Sequence, residues 1–481
     1  MIIPLLLLPF ATGLLCLVPL KSLRHIMLVL AALANFFLVT TLYLNRENSL
    51  IGIWFGADAL GFLFLFITAI LFVIVTPPVL LYLKDHTDTG HPRLLTEPFF
   101  ICFFLFFLGA MNTAILSQHT GLFWVAIEAT TLTSAPLISY LITNRSLEAT
   151  WKYLLICSVG IAIAFLGNIA LTVSLPVVIP EGDHLLTYTY LTKHATSLNP
   201  FWLKIAFAFI FIGYGTKMGL APMHTWLPDA HSEAPSPVSA LLSAALLNCA
   251  FLGILRMLII LEKSGMGFYA NGLLIAFGIT SLFLAGGMIL RAFNYKRLLA
   301  YSSIEHMGIL ALSVGAGAAS RYGAFLHAIN HSLAKCLLFL TAGMILSRQK
   351  TKSIKDVQGL LKSDPIIAFF WMAGALAIVG LPPFGTFVSE LSIMSGLGQE
   401  HHWILLALLL FALALVFLGL FKAVIPMIYG EPTVLTNTKN KISALELTPL
   451  LLVLMLVVLG IHIPDQVQNL IVAAVNQMGD M

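Results

Sequence analysis

The sequence predicts an all-α integral membrane protein with about fourteen transmembrane helices, arranged as two inverted five-helix repeats with spans 7 and 12 discontinuous. Composition is the first observation behind this prediction. Of the 481 residues, 59% are hydrophobic and only 10% are charged, and the mean hydropathy is +0.97. Ordinary soluble domains carry about a quarter charged residues. The apolar runs and two proline-containing interruptions are the other observations.

Apolar runs of roughly 18 or more residues define the spans in chain order. The predicted spans are 2–20, 26–44, 58–83, 99–117, 121–143, 151–175, 202–232 (interrupted), 237–261, 269–290, 297–318, 322–347, 365–397 (interrupted), 403–428 and 446–474. The connections are too short for a soluble core, so residues 1–481 form one membrane domain. Its predicted parts are three N-terminal helices (1–83), a first repeat (99–261), a second repeat (269–428) and a last helix (446–474).

Basic residues gather at the odd-numbered connections and are sparse at the even-numbered ones. The odd connections hold Lys21, Arg24, Lys84, Arg93, Arg145, Lys152, Arg291, Lys296, Arg297, Arg348, Lys350, Lys352, Lys355, Lys362, Lys439 and Lys441, and the even ones hold Arg46, Lys193, Lys204, Lys263 and Arg321. The positive-inside rule places the odd connections in the cytoplasm. We therefore expect a multi-pass protein of the cytoplasmic (inner) membrane with both termini on the outer side. The first basic residues follow the first apolar run, as in a retained span and unlike a signal peptide.

The small net charge of +4 is scattered over loops, so no nucleic-acid-binding surface is expected. The five cysteines stand singly in apolar segments, without metal-site or disulfide spacing. They are Cys16, Cys102, Cys157, Cys249 and Cys336. We expect them to be small packing residues, and we expect no cofactor in this chain.

The two interruptions carry the polar residues that matter most. Residues 213–237 read GYGTKMGLAPMHTWLPDAHSEAPSP, and residues 380–385 read GLPPFG. Broken spans at matching places in two halves point to a transport site near the bilayer midplane. Lys217 precedes the first break and Glu390 follows the second. An ammonium at this depth is costly and needs a partner or an ion-handling role.

Glu128 is the candidate partner of Lys217, in the segment FWVAIEATTLTSAP of span 5. An isolated buried carboxylate takes up a proton, whereas one close to a lysine stays ionised. The pair could therefore store and release a proton as its spacing changes. A static ion pair that fixes helix packing is the alternative.

His327, His331 and Lys335 recur every four residues in HAINHSLAK and share one face of span 11. A proton relay, a metal or haem site, and hydrogen-bonded core histidines are the open interpretations. The spacing offers no third metal ligand, which favours the relay. Glu305 and His306 in span 10 could extend the path, and Glu390 is either its exit carboxylate or a cap at the interface.

Beyond the first break, His224, Asp229 and His231 are candidates for the mouth of a half-channel, together with Glu233. A loop with a purely structural role is the alternative. Residues 213–237 contain four prolines, so the backbone groups of this stretch need protein or a water-lined cavity beside them.

These segments resemble a known family. KMGLAPMHTWLPDAHSEAPSPVSALL, YKRLLAYSSIEHMG, HAINHSLAKCLLFLTAGMI and GLPPFGTFVSE are similar to motifs of the antiporter-like membrane subunits of respiratory complex I, group 4 [NiFe]-hydrogenases and Mrp-type sodium/proton antiporters. WVAIEATTLTSAPLI and SLEATWKYLLICSVGIAIAFLG most resemble component F of hydrogenase-4 and formate hydrogenlyase complexes.

The resemblance implies fourteen spans, inverted repeats of spans 4–8 and 9–13, and a line of charged residues along the midplane. It implies roles for Glu128 and Lys217 as a coupled pair, for His327 and His331 as the central relay, and for Glu390 as the position in span 12 that is lysine or glutamate among relatives. The implied function is proton translocation by a non-redox subunit of a hydrogenase or an NADH dehydrogenase-like complex.

Its implied partners are other membrane subunits and a peripheral redox arm carrying iron–sulfur clusters and a NiFe centre. An Mrp-type antiporter subunit, and a scaffold that has lost transport, are the alternatives. One departure bears on the relay, because many relatives have a lysine in span 8 where this chain has Asn248. The path from Lys217 to His327 must then use water or hydroxyls such as Ser243, or be broken.

Overall fold

The computed structural model describes residues 1–45, 50–51, 53–86, 93–176, 185–432 and 444–479. Helices α1 to α20 are Ile2–Leu15, Lys21–Leu44, Ala59–His86, Glu97–Leu116, Thr120–Ile138, Asn144–Val173, Tyr188–Lys193, Pro200–Met218, Trp226–Glu233, Ser236–Leu241, Leu247–Lys263, Gly267–Leu290, Tyr295–Ala316, Ala318–Gln349, Leu360–Ser363, Pro365–Ile378, Gly385–Gln399, Trp403–Tyr429, Ala444–Ile461 and Asp465–Gln477. A 3₁₀ turn covers Ala195–Ser197, a π-helical turn covers Leu242–Leu246, and strands β1 (Leu50–Ile51) and β2 (Phe55–Gly56) pair antiparallel.

The chain is a multi-pass membrane protein. Within the described ranges, eleven helices are long and apolar enough to cross a bilayer, and α19 with α20 forms a bent twelfth candidate. Helices α1 and α16 are shorter apolar helices. The count of fourteen spans and the side of each terminus stay predictions; Arg46, Lys439 and Lys441, used for the orientation, lie outside the described residues.

Polar side chains fix where several spans begin. The Asn199 side chain accepts hydrogen bonds from the first backbone N–H groups of α8, and Asn294 does the same for α13. Asp364 caps α16, and Thr143 with Ser146 forms a reciprocal capping box at α6. Each cap satisfies N–H groups that a helix start leaves without an intrahelical partner.

Both predicted interruptions are confirmed. Helix α8 ends at Gly219, whose φ of +84° lies in the left-handed region that favours glycine, and α9 begins at Trp226. Helix α16 ends at Ile378, and α17 begins at Gly385. Lys217 lies in the last turn before the first break, and Glu390 lies in the second turn of the helix that follows the second break.

The sequence prediction missed a third break, in the last span. Residues 446–474 were predicted as one continuous helix, but α19 and α20 meet at a bend of 71°. Pro464 lies at this bend, where its ring lacks an N–H and disfavours helical geometry at Ile463. The far end of α20 packs on the start of α3, because the backbone N–H of Leu60 donates to Gln477 Oε1 at 2.9 Å.

The interior is formed by the helices that carry polar residues. In the most apolar stretch of α13 every residue is buried inside the protein, whereas in that of α18 only 28% of the residues are buried. Exposed residues of α18, such as Phe411 and Leu418, are apolar, as a lipid-facing surface requires. Helix α14 packs against α13, α16 and α17, which brings the second break and the histidines together.

Candidate functional site

Lys217 lies in the last turn of α8 and is completely buried. Its Nζ donates to the Thr131 hydroxyl at 2.7 Å and to the Tyr153 hydroxyl at 2.7 Å. The Nζ also lies 4.7 Å from the centre of the Tyr153 ring, which adds a cation–π contact. Two hydroxyls and an aromatic face thus surround the ammonium.

Glu128 reaches the same cluster through Thr131. Its carboxylate accepts from Ser158 Oγ at 2.7 Å and from Thr131 Oγ1 at 3.5 Å. No ion pair within 4.0 Å joins Glu128 to Lys217 in the described structure. Lys217 donates to Thr131 and Thr131 donates to Glu128, so the two residues of the predicted pair are linked by hydrogen bonds through the Thr131 hydroxyl.

A second buried cluster joins helices α13, α14 and α17. His306 Nδ1 and His327 Nε2 are 2.9 Å apart, and His327 Nδ1 lies 3.0 Å from Ser389 Oγ. The rings of His306 and His331 have centroids 5.0 Å apart. Glu305 Oε2 lies 3.3 Å from His306 Nε2. The His306–His327 and His327–Ser389 contacts are at hydrogen-bond distance, and an imidazole in such contact can hand on a proton by changing tautomer.

Glu390 joins this cluster from the second break. A side chain at Gly380 would collide with Glu390 Oε2, so the carboxylate packs directly on the backbone of the second break. Ligand atoms of Glu390, His306 and His327 all lie within 4.8 Å of one another. The sequence spacing offered no third metal ligand beside the histidines, and the fold brings Glu390 to that position. The two imidazoles face each other at hydrogen-bond distance, which is the geometry of a shared proton.

Lys335 is also fully buried, and its Nζ donates to the backbone carbonyl of Leu299 at 2.8 Å. It therefore occupies the far end of the predicted stripe on α14, against α13. His327 and His331 lie between Lys335 and the second break.

Neutral side chains occupy the space between the clusters. Asn248 Nδ2 donates to Ser332 Oγ at 2.9 Å, next in sequence to His331, and Ser243 Oγ lies 2.8 Å from Ser303 Oγ. Ser243 lies in the π-helical turn, an irregularity frequent at functional sites. Asn248 is thus hydrogen-bonded to α14, although it cannot ionise.

Residues 117–417 match the family described as the transmembrane region of NADH:quinone oxidoreductase and Mrp antiporter subunits. The chain belongs to this family. The match covers most of the chain and includes both breaks and every candidate residue named above.

Individual relatives of this antiporter-like subunit agree with that assignment. It is 36% identical over 430 residues to the hydrogenase-4 component F homolog of Methylacidiphilum infernorum (isolate V4), covering 89% of this chain and 90% of that protein. A chain of the membrane-bound sulfane sulfur reductase, an archaeal respiratory membrane complex, has TM-score 0.88 and 22% identity, covering 99% of this chain and 97% of that chain. A chain of respiratory complex I from Thermus thermophilus has TM-score 0.82 and 23% identity, covering 100% and 99%. The two structures support the fold alone.

The predicted half-channel residues of this antiporter-like subunit do not form one cluster. Asp229 pairs with Lys152 at 3.1 Å and with Arg297 at 3.0 Å. His231 is buried between the rings of Trp226 and Phe339, with centroids 6.1 and 5.6 Å away. His224 lies within the first break and is largely buried. Their roles stay predictions.

Helix α9 and the residue that follows it are held by charges and polar groups from the second predicted repeat. Lys296 Nζ donates to the Ala234 carbonyl at 2.7 Å, and Asn294 Nδ2 donates to Ser232 Oγ at 3.3 Å. Lys352 pairs with Glu233 at 3.0 Å. These contacts fix the half-helix that follows the first break.

Sequence reasoning missed an ion pair outside the two clusters. Arg256 of α11 binds both carboxylate oxygens of Asp58, at 2.7 and 3.1 Å, and Gln477 Nε2 donates to the same carboxylate at 2.8 Å. Burial alone would raise the pKa of Asp58, but Arg256, Gln477 and the Gly61 N–H together hold that pKa below its ordinary value. The bonds join three distant segments of the chain.

Proposed function

We propose that this chain is the proton-translocating, non-redox membrane subunit of a multisubunit oxidoreductase, of the membrane-bound hydrogenase or NADH dehydrogenase-like type. The observation that carries the proposal is the pair of buried, hydrogen-bonded polar clusters beside two broken spans. Buried ionisable groups are rare in membrane interiors, and they mark ion pathways. The similarity to a hydrogenase-4 component F homolog over nine-tenths of both chains supports the hydrogenase branch.

The first step takes place at Glu128. This residue is only partly buried, and its neighbours on α5, Val125 and Leu132, have 53% and 57% of their surfaces exposed. A charge in an adjoining subunit can therefore act on the Glu128 carboxylate more directly than on Lys217. A change at Glu128 alters the Thr131 hydrogen bond, and Thr131 is one of the two hydroxyls that stabilise the lysine ammonium.

The proton that Lys217 releases moves toward the histidine cluster of α13, α14 and α17. Its path runs between α11 and α14, past the hydrogen bond from Asn248 to Ser332. His331, His306 and His327 receive the proton in turn, and Ser389 connects His327 to α17 beside Glu390. Reprotonation of Lys217 from the other side of the membrane completes the cycle.

The proposal includes the finer architecture. Fourteen spans form the three-helix start (1–83), inverted repeats at 99–261 and 269–428, and the final broken span at 446–474, with both termini outside the cytoplasm. The partners are other membrane subunits and a peripheral arm that holds iron–sulfur clusters and a NiFe centre. This chain supplies proton-transfer groups and no redox centre.

The test uses the intact complex, purified through a tag on this chain and reconstituted into proteoliposomes. Glu128→Gln and Lys217→Ala should abolish proton uptake coupled to electron transfer, because Gln carries no charge at position 128 and Ala removes the ammonium that donates to Thr131 and Tyr153. Electron transfer by the peripheral arm should remain measurable. Lys263→Gln, an exposed lysine at the end of α11, is the matched control. Full proton stoichiometry in both variants would refute the proposed function.

An Mrp-type sodium/proton antiporter subunit is the second candidate, because the matching family includes Mrp antiporter subunits. Metal analysis and mass spectrometry of the purified complex separate the two. Nickel and iron with a hydrogenase large subunit support the pump, whereas a complex of small membrane subunits without either metal supports the antiporter.

A further inference from the structure

A cavity of about 880 Å³ lies where the basic residues at the start of α13 and after the end of α14 meet the junction of α9 and α10. Its charged lining residues are Lys296, Lys350, Lys352 and Glu233. Glu233 and Lys352 pair with each other at 3.0 Å. The two other lysines therefore give the cavity a surplus of positive charge.

Lys296 is the most informative of these residues, because only 1% of its surface is exposed. Its Nζ donates to one backbone carbonyl, that of Ala234. Across the described part of the chain, no carboxylate oxygen lies within 4.0 Å of that Nζ. An ammonium has three N–H donors, and a buried cation is unfavourable without a counter-ion. The cavity is thus built to receive negative charge.

The cavity becomes apolar with depth. Lys350 directly follows the end of α14, whereas Met344 and Leu340 lie five and nine residues before Gln349. At 1.5 Å per residue, these two side chains line the cavity about 8 and 14 Å below the helix end. Pro78 of α3 lies about 12 Å below the end of its own helix by the same rule. Cations near the surface and an apolar wall below match an amphiphile with an anionic head.

We propose that this cavity binds one anionic phospholipid, with the phosphate in contact with Lys350 and attracted by the buried charge of Lys296, and with an acyl chain against the Leu340 and Met344 wall. Basic pockets between membrane helices on the cytoplasmic side suit such headgroups. The volume far exceeds that of a single inorganic ion, since one water takes about 30 Å³. This inference is independent of the proposed pumping function.

The experiment measures lipids retained by the intact complex. The complex is reconstituted in phosphatidylcholine vesicles with a minor fraction of phosphatidylglycerol, extracted into mild detergent, and examined by native mass spectrometry. Phosphatidylglycerol should be retained in preference to phosphatidylcholine. Lys350→Asn should weaken retention by about five-fold, and Lys350→Asn with Lys296→Met by about 25-fold, at the usual value per lysine. Asn suits the left-handed backbone at position 350, where φ is +55°.

Lys263→Gln is the matched control and should retain phosphatidylglycerol as the parent does. Lys350 is exposed, so Lys350→Asn keeps the test decisive if Lys296→Met does not assemble. Equal retention of both lipids, or loss of phosphatidylglycerol on adding inorganic phosphate, would overturn the phospholipid assignment. Proton uptake is measured on the same samples, so that failure of lipid binding is distinguished from failure of pumping.

Discussion

Thr131→Val is the most informative single substitution, because it removes one hydroxyl and nearly preserves the side-chain shape. The Thr131 hydroxyl accepts from Lys217 Nζ at 2.7 Å and lies 3.5 Å from Glu128 Oε2. A hydrogen bond to a charged group contributes about 1.5–3 kcal/mol. The protonated Lys217 in Thr131→Val therefore loses about that much stabilisation. Its other acceptor, Tyr153, remains.

The expected phenotype is a large loss of coupled pumping. A change of 1.5–3 kcal/mol corresponds to about a ten- to hundred-fold shift in the proton equilibrium of Lys217. The assay follows proton uptake and electron transfer together in proteoliposomes containing the complex. Uptake per electron should fall while electron transfer continues.

Two variants control for structure. Thr131→Ser keeps a hydroxyl and should retain most of the pumping. Thr133→Val removes a hydroxyl whose hydrogen bonds in the described structure go to the Ala129 and Thr130 carbonyls, four and three residues earlier on the same helix, and it should pump normally. If Thr131→Val pumped like the parent, the Glu128–Thr131–Lys217 link would not be part of the pathway.

Three further predictions follow from other contacts. Gly380→Ala should impair pumping, because its methyl group would collide with Glu390 Oε2 and the φ of +67° disfavours alanine. Gly287→Ala, whose methyl group would meet no atom within 4 Å, should be neutral. Equal pumping by the two variants would contradict the placement of Glu390. Asn248→Leu should lower proton uptake with the first cluster intact, because it removes the bond to Ser332, and unchanged uptake would count against this route. Asp58→Ala should destabilise the complex by about 3–5 kcal/mol by leaving Arg256 buried without its carboxylate. Since the folded pKa of Asp58 is lowered, its contribution is present above its unfolded pKa and is lost as pH falls through the folded pKa, so acid unfolding curves of parent and variant should converge at low pH.

The sequence predicts the membrane class and the two principal breaks because both follow from local physics. Long apolar runs identify spans, and Gly219 and the GLPPFG segment mark helix ends through their backbone preferences. The bend at Pro464 was missed because the predicted span 446–474 was counted straight across Pro464, although the residues after it, DQVQN, are mostly polar.

Partners distant in sequence are harder to predict. Asp58 and Arg256 are separated by 198 positions, and neither lies in a motif that indicates the other. Ser389 was missed although it precedes Glu390, since only the packing of α17 on α14 shows that it faces His327. The contact between Thr131 and Glu128 could be predicted from the sequence, because Thr131 follows Glu128 by three residues on a helix and so shares its face.

The central claim is that protons cross this chain through Lys217 when electrons move in its partners. The most direct measurement is the number of protons taken up per electron by proteoliposomes containing the purified complex, for the parent and for Lys217→Ala. Proton uptake should vanish in the variant while electron transfer persists. An unchanged ratio of protons to electrons would contradict the claim.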